Sequence, residues 1–242
     1  MRYQENGNIL FIILIAIALF AALSFTVTNV NRGGGAGVSK EQLNIEATDA
    51  LAYATRMKSA IDILYGRNGI SEADLNFSHP DAPSEYGDPF DTGANPIENQ
   101  IFATEGGGIT YETPNPLIRS NPNDTSGWEF LATSRAPEVG FDDTTDLLAV
   151  IPNVSEDFCE SINILLGYTP GTIPSDTSPE CVYESGSITS DRFTGTFTAN
   201  GSANDMGSSN YTAQNFRLPA PAACVECGTS EEYHFYYTLL ER

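Results

Sequence analysis

Four cysteines are the residues whose type and spacing could carry chemistry: Cys159, Cys181, Cys224 and Cys227. The last two form a C-x-x-C motif, which occurs in thioredoxin-type redox centres and in zinc sites. A redox centre needs this motif to open a helix within a βαβ unit, whereas here it follows LPAPAA and precedes a strand-like segment. A zinc site needs a second close pair of ligands, and Cys159 and Cys181 lie far apart in the sequence. Structural disulfides are therefore the favoured interpretation.

Two disulfides among four cysteines allow three connectivities. Proximity in the sequence favours Cys159–Cys181 together with Cys224–Cys227. In the chain-entropy model the first bond would stabilise the fold by about 3 kcal/mol, because it closes a long loop. The second bond would mainly fix a turn.

The two histidines, His79 and His234, lie outside any catalytic pattern. His79 precedes a proline in a loop, and His234 lies within an aromatic, strand-like segment. The sequence contains no nucleophile elbow, zinc-protease motif, P-loop or dinucleotide-binding motif. We therefore expect a protein that is not an enzyme and that binds no cofactor or metal.

The composition is strongly acidic, with 11 Lys and Arg against 32 Asp and Glu, which gives a formal net charge of −21. A surface of this charge repels phosphate groups, so nucleic acid is not an expected partner. The chain also holds 21 Gly, 14 Pro, 13 Phe and 11 Tyr. This composition is typical of a turn-rich β domain outside the cytoplasm.

An almost uninterrupted apolar stretch, ILFIILIAIALFAALSFTV, occupies residues 9–27. As a helix it would be about 28 Å long, close to the roughly 30 Å hydrocarbon core of a bilayer. The sequence therefore predicts a transmembrane or assembly helix over residues 8–30. A cleaved secretory signal fits less well, because its apolar region usually has only about 7 to 15 residues. A plain membrane anchor with a flexible tether remains an alternative.

The rest of the chain divides into a leader-like head (residues 1–7), a Gly-rich neck (31–38), an amphipathic helix (39–66) and an acidic β-rich domain (67–242). Apolar residues of the third segment recur at steps of three and four from Leu43 to Leu64, as in a helix with one buried face. Within the domain, residues 128–133, 146–151 and 233–240 have the β-prone content of strands. Residues 187–199 alternate as in a strand or a bent hairpin, and 108–112 form a shorter strand. Ser155 caps a short helix, and residues 224–227 lie in a turn.

These elements predict an α+β fold. Its long N-terminal helix would have a membrane-embedded first half, a Gly-rich break and an amphipathic second half. That second half would pack on an antiparallel β-sheet domain that carries a short extra helix and two disulfides.

The order of a polar head ending in Gly7, an apolar segment, an amphipathic helix and a β-rich domain with late cysteines resembles type IV pilins and the pseudopilins of type II secretion. The resemblance is specific over residues 1–65. It implies that a membrane peptidase cuts after Gly7 and leaves Asn8 as the N-terminus. The family usually has an aromatic residue at that place and a glutamate as the fifth mature residue. This chain has Asn8 and Ile12 there.

The resemblance also implies a non-enzymatic subunit of an extracellular filament or secretion pseudopilus, held in a bacterial inner membrane with its domain outside the cytoplasm. Its partners would be the membrane and other pilin-like subunits, in a homo- or hetero-oligomer. The predicted assembly helix includes Ile12, Ala16, Phe20 and Leu23, and its small residues allow helices to approach closely. The alternative function is that of a single-pass envelope protein whose outer domain binds a ligand or partner and does not polymerise.

Overall fold

The computed structural model divides the chain into two units, Met1–Ser39 and Lys40–Arg242. The described residues are 13, 15, 17, 40–87, 89, 95–140, 144–176, 181–183, 188–198, 204–207, 214–228 and 232–242. In the first unit these are three helical, exposed isoleucines, Ile13, Ile15 and Ile17. The predicted leader site (Gly7 and Asn8) and the predicted assembly positions (Ile12, Ala16, Phe20 and Leu23) lie outside the described residues.

The prediction of one long N-terminal helix with a membrane-embedded first half is wrong. Helix α1 spans Lys40–Gly66, which is 27 residues. Over the described part of the chain, no helix has both the length and the apolar content needed to cross a membrane.

The second unit is α+β. The five strands of its main sheet are β1 (Glu129–Leu131), β3 (Leu147–Val154), β4 (Ser175–Asp176), β6 (Ala222–Cys227) and β7 (Glu232–Leu240). They lie side by side in the order β1-β3-β7-β6-β4. All neighbouring pairs are antiparallel except β4 with β6. Two further short strands, β2 (Ser134–Arg135) and β5 (Asn204–Asp205), pair in parallel beside it. The strands predicted over 128–133, 146–151 and 233–240 are thus present as β1, β3 and β7.

Helices cover one face of the main sheet. α1 packs on β7 and on a second helix, α2 (Glu156–Leu165), which in turn packs on β6. The buried face of α1 follows the predicted steps of three and four and consists of Leu43, Ala47, Ala50, Tyr53, Ala54, Met57, Ala60, Ile61 and Leu64. α2 begins at the predicted cap, where the side chain of Ser155 accepts a hydrogen bond from the backbone N–H of Phe158.

Loops from the C-terminal half cover the opposite face. Leu148, Val150 and Tyr236 point from the central strands into a buried cluster with Cys181 and Phe216. Both faces of the sheet are therefore buried. This explains why β3 reads as a nearly continuous apolar run, Leu147 to Ile151, instead of alternating apolar and polar residues.

Three local predictions are wrong. Residues 108–112 form no strand, because the hydroxyl of Tyr53 takes the place of a neighbouring strand: it donates to the carbonyl of Thr110 and accepts from the N–H of Glu112. Of residues 187–199 the structure describes 188–198, and these contain a 3-10 helix (Ile188–Asp191) and a single antiparallel bridge, between Arg192 and Leu131 of β1, in place of a strand or hairpin. Residues 224–227 lie in strand β6 and not in a turn.

Aromatic side chains join the irregular residues 71–122 to the sheet. The ring of Phe77 stacks on Phe130 of β1 at 3.9 Å between centroids, and His79 stacks on Tyr111 at 3.6 Å. The hydroxyl of Tyr111 also accepts a hydrogen bond from the N–H of Trp128 at 2.9 Å. These contacts fix the described part of this segment, which contains short 3-10 helices and turns, against the core.

Candidate functional site

The four cysteines form two disulfides, Cys159–Cys224 and Cys181–Cys227. The predicted presence of two disulfides is confirmed, and the pairing favoured from sequence proximity is wrong. Cys224 and Cys227 are three residues apart on β6, and successive strand residues point to opposite faces. Cys224 therefore meets Cys159 on α2, and Cys227 meets Cys181 in the cluster on the other face.

This pairing removes the C-x-x-C motif from consideration as a redox or zinc site. All four sulfurs are in disulfides, and the cysteines are at most 3% exposed. Among the described residues, no group of three or more His, Cys, Asp or Glu side chains is placed to hold a metal ion.

A side-chain amide from α2 covers part of the outer edge of β6. Asn163 is buried, and its Oδ1 accepts a hydrogen bond from the N–H of Cys224 at 2.8 Å. Its Nδ2 donates to the carbonyl of the same residue at 2.8 Å. Further along this edge, β4 pairs only with Glu226 and Cys227. Both backbone groups of Cys224 are therefore hydrogen-bonded on the side of β6 that faces away from β7, although no strand lies beside them there.

A buried ion pair lies at the opposite edge, on β1. Arg192 donates from Nε and Nη2 to the carboxylate of Glu129 at 2.7 and 2.8 Å. A third nitrogen, Nη1, donates to Glu85 at 2.7 Å. The side chain of Glu129 is 6% exposed and that of Arg192 is 12% exposed, and the hydroxyl of Tyr86 donates to the same carboxylate. Arg192 thus balances the charge of Glu129 and fixes the loop that carries Arg192 against β1.

Both histidines are held by contacts within the fold. The ring of His79 stacks on Tyr111 and meets Phe102 edge-on, and burial lowers its pKa. His234 lies on β7, where its Nδ1 accepts a hydrogen bond from the N–H of Asn153 at 3.1 Å. The carbonyl on the other side of that peptide bond, from Pro152, accepts from Arg119. The two side chains thus hold an irregularity in β3, where the register with β7 shifts between Ile151 and Val154.

Two buried groups have pKa values that make stability depend on pH. Burial lowers the pKa of His234 from 6.5 to about 4, and the charge of Arg119 adds to this effect. Burial raises the pKa of Asp146 from 3.8 to about 6, against the hydrogen bonds that its carboxylate accepts from the N–H groups of Ala136 and Arg242. Each change corresponds to about 3 kcal/mol.

The two groups act in opposite directions over nearly the same pH range. The stability due to neutral His234 is fully present above pH 6.5 and is lost as the pH falls towards about 4. The stability due to protonated Asp146 is fully present below pH 3.8 and is lost as the pH rises through about 6. In the unmodified chain the two contributions largely cancel.

Replacing one of these two residues should reveal the pH dependence that the other gives to the free energy of unfolding. We expect the free energy of unfolding of the D146N variant, relative to the unmodified protein, to gain about 3 kcal/mol between pH 4 and pH 6.5. The H234N variant should lose a similar amount relative to the unmodified protein over this range. Urea unfolding at half-unit pH steps measures both slopes, and profiles parallel to that of the unmodified protein would contradict the assignment.

Two clefts of the second unit are lined in part by the irregular residues 71–122. One, of about 720 Å³, lies between Asn76, Tyr86 and Phe193. The other, of about 180 Å³, lies beside α1 and is lined by Glu46, Asp49 and Trp128, among others. Neither lining includes a histidine or a cysteine, so neither cleft joins a nucleophile to an imidazole base.

The outer face of α1 is exposed, and a stripe of small or β-branched residues runs along it between the charged side chains of Asp49, Arg56 and Asp62: Ile45, Thr48, Ala52, Thr55 and Ser59. The hydroxyls of Thr48, Thr55 and Ser59 donate to carbonyls one turn earlier in the same helix, at 2.8 to 3.0 Å. Because these donors are satisfied within the helix, the face can lie against another helix without leaving them unpaired.

No family model, no curated protein and no solved structure matches the chain.

Proposed function

We propose that this chain is a non-enzymatic, pilin-like structural subunit of an extracellular filament or secretion pseudopilus. Its apolar N-terminal segment would hold it at a bacterial inner membrane, with the acidic domain outside the cytoplasm, until assembly. The peptidase would cut after Gly7. The subunit would then pack with copies of itself or with other pilin-like subunits.

The observation that carries this proposal is the exposed outer face of α1. The helix lies across an antiparallel sheet, follows an apolar and Gly-rich sequence, and leaves one side open along its full length. Small residues such as Ala52 and Ser59 allow a second helix to approach closely. A domain that only binds a ligand has no need of such a surface on the helix that follows the apolar segment in the sequence.

Introducing a charge on this face should prevent assembly without unfolding the domain. We expect the A52E variant of the full chain to give no filaments in the fraction sheared from cells, because a carboxylate in a closely packed helix interface is costly to desolvate. Its thermal unfolding midpoint should stay within about 2 °C, as is usual for an exposed substitution. Electron microscopy and immunoblotting of the sheared fraction measure the effect.

The matched control is T169E, which adds the same charge at an exposed loop position outside α1 and should assemble normally. N-terminal sequencing of the unmodified protein should find Asn8, with N-methylation as a further mark of pilin processing. An intact Met1, or filaments from A52E, would contradict the proposal. A folded protein that remains monomeric in both variants and in the unmodified chain would favour the non-polymerising envelope protein instead.

A further inference from the structure

Asparagines followed two positions later by serine or threonine form the N-x-S/T sequon, whose side-chain amide accepts N-linked glycans. Such sequons begin at Asn76, Asn123, Asn153, Asn200 and Asn210. The first three lie among the described residues. Their structural settings differ, and this difference selects one of them.

The sequons at Asn76 and Asn153 are engaged in the fold. The side-chain oxygen of Asn76 accepts a hydrogen bond from the N–H of Ser78 at 2.7 Å, and Ser78 itself is 1% exposed. The side chain of Asn153 interacts with Asp124. The hydroxyl of its sequon, on Ser155, caps α2. In both sequons the hydroxyl that a transferase must recognise is already buried or bonded.

The sequon at Asn123 has neither restriction. Asn123 and Thr125 are both exposed. They lie at a β-turn closed by the hydrogen bond from the N–H of Asp124 to the carbonyl of Asn121 at 2.9 Å. The side chain of Asn121 accepts from the backbone N–H of Asn123 at 3.0 Å. The contacts that fix this turn therefore leave the side chains of Asn123 and Thr125 unused.

We propose that Asn123 is an N-glycosylation site, with a lipid-pyrophosphate-linked oligosaccharide as the donor. The amide nitrogen attacks the anomeric carbon, a carbon–nitrogen bond forms, and the bond from that carbon to the phosphate oxygen breaks. The lipid pyrophosphate leaves with the electron pair, and the amide nitrogen loses one proton. The hydroxyl of Thr125 is the group that the transferase recognises. This step rests on the export of the domain, and not on filament assembly.

Peptide mapping by mass spectrometry of the full-length protein from the envelope of its source cells tests the site. The peptide that contains Asn123 should carry a glycan mass. The N123Q and T125A variants should lose it completely, whereas the conservative T125S variant should keep it. An unmodified Asn123 in the unmodified protein, or a glycan that persists in T125A, overturns the proposal.

A second measurement tests whether the fold, and not the sequon alone, makes Asn123 the preferred site. The folded, disulfide-bonded protein is incubated with a purified single-subunit oligosaccharyltransferase and its lipid-linked oligosaccharide. Occupancy at Asn123 should exceed that at Asn76 and Asn153 at least tenfold, and the preference should disappear after reduction and unfolding. Equal occupancy at the three positions in the folded protein overturns the proposal. Neither measurement depends on whether the protein forms filaments.

Discussion

Replacing Arg192 with methionine should lower the free energy of unfolding by about 3 to 5 kcal/mol, because it leaves a buried carboxylate without its counter-ion. The carboxylate belongs to Glu129, which receives two hydrogen bonds from the guanidinium and is 6% exposed. The hydroxyl of Tyr86 also donates a hydrogen bond to it. Urea unfolding of R192M at pH 7 measures the loss.

The double variant E129M/R192M is the informative control. Removing both charges together replaces the ion pair with apolar side chains, so the double variant should recover most of the stability that R192M loses. The E85Q variant should cost less than about 1 kcal/mol, since Glu85 is an exposed partner of the same arginine. A double variant as unstable as R192M would show that the arginine acts through packing and not through its charge.

Removing the disulfide between α2 and β6 should lower the free energy of unfolding by about 4 kcal/mol. The bond joins residues 65 positions apart, and a cross-link that closes so long a loop strongly restricts the unfolded chain. The C159A/C224A variant, unfolded in urea without reductant, measures this effect. Mapping of non-reduced peptides should recover Cys159 linked to Cys224.

The matched variant, C181A/C227A, removes the second disulfide from the other face of the same strand. Its sequence separation is 46, so the expected loss is also about 4 kcal/mol. A peptide in which Cys224 is linked to Cys227 would contradict the observed pairing. A loss below about 1 kcal/mol in either variant would show that the unfolded chain is already restricted by other means.

The local sequence pattern correctly predicted those helices and strands that show the same pattern whatever they pack against. α1 could be read from its steps of three and four because one face of a helix is buried whatever it packs against. β3 and β7 could be read from continuous apolar and aromatic content. The cap at Ser155 follows from a single side chain and the backbone next to it.

The features that sequence reasoning missed depend on which face of an element meets a distant segment. The disulfide pairing is set by the opposite orientation of Cys224 and Cys227 on β6, and that strand was predicted to be a turn. Glu129 and Arg192 lie 63 positions apart, and no local pattern marks them as an ion pair. The membrane-embedded half of the first helix was an extrapolation from apolar content alone.

The side chain of Asn163 has a consequence for how the sheet ends. An exposed strand edge can recruit a strand from another molecule, and proteins usually prevent this with charges, prolines or bulges. Here one amide offers Cys224 the donor and acceptor that an incoming strand would offer. The amide thereby fills the place beside Cys224 that the two-residue strand β4 does not reach, so this part of β6 offers no free backbone groups to a strand from another molecule.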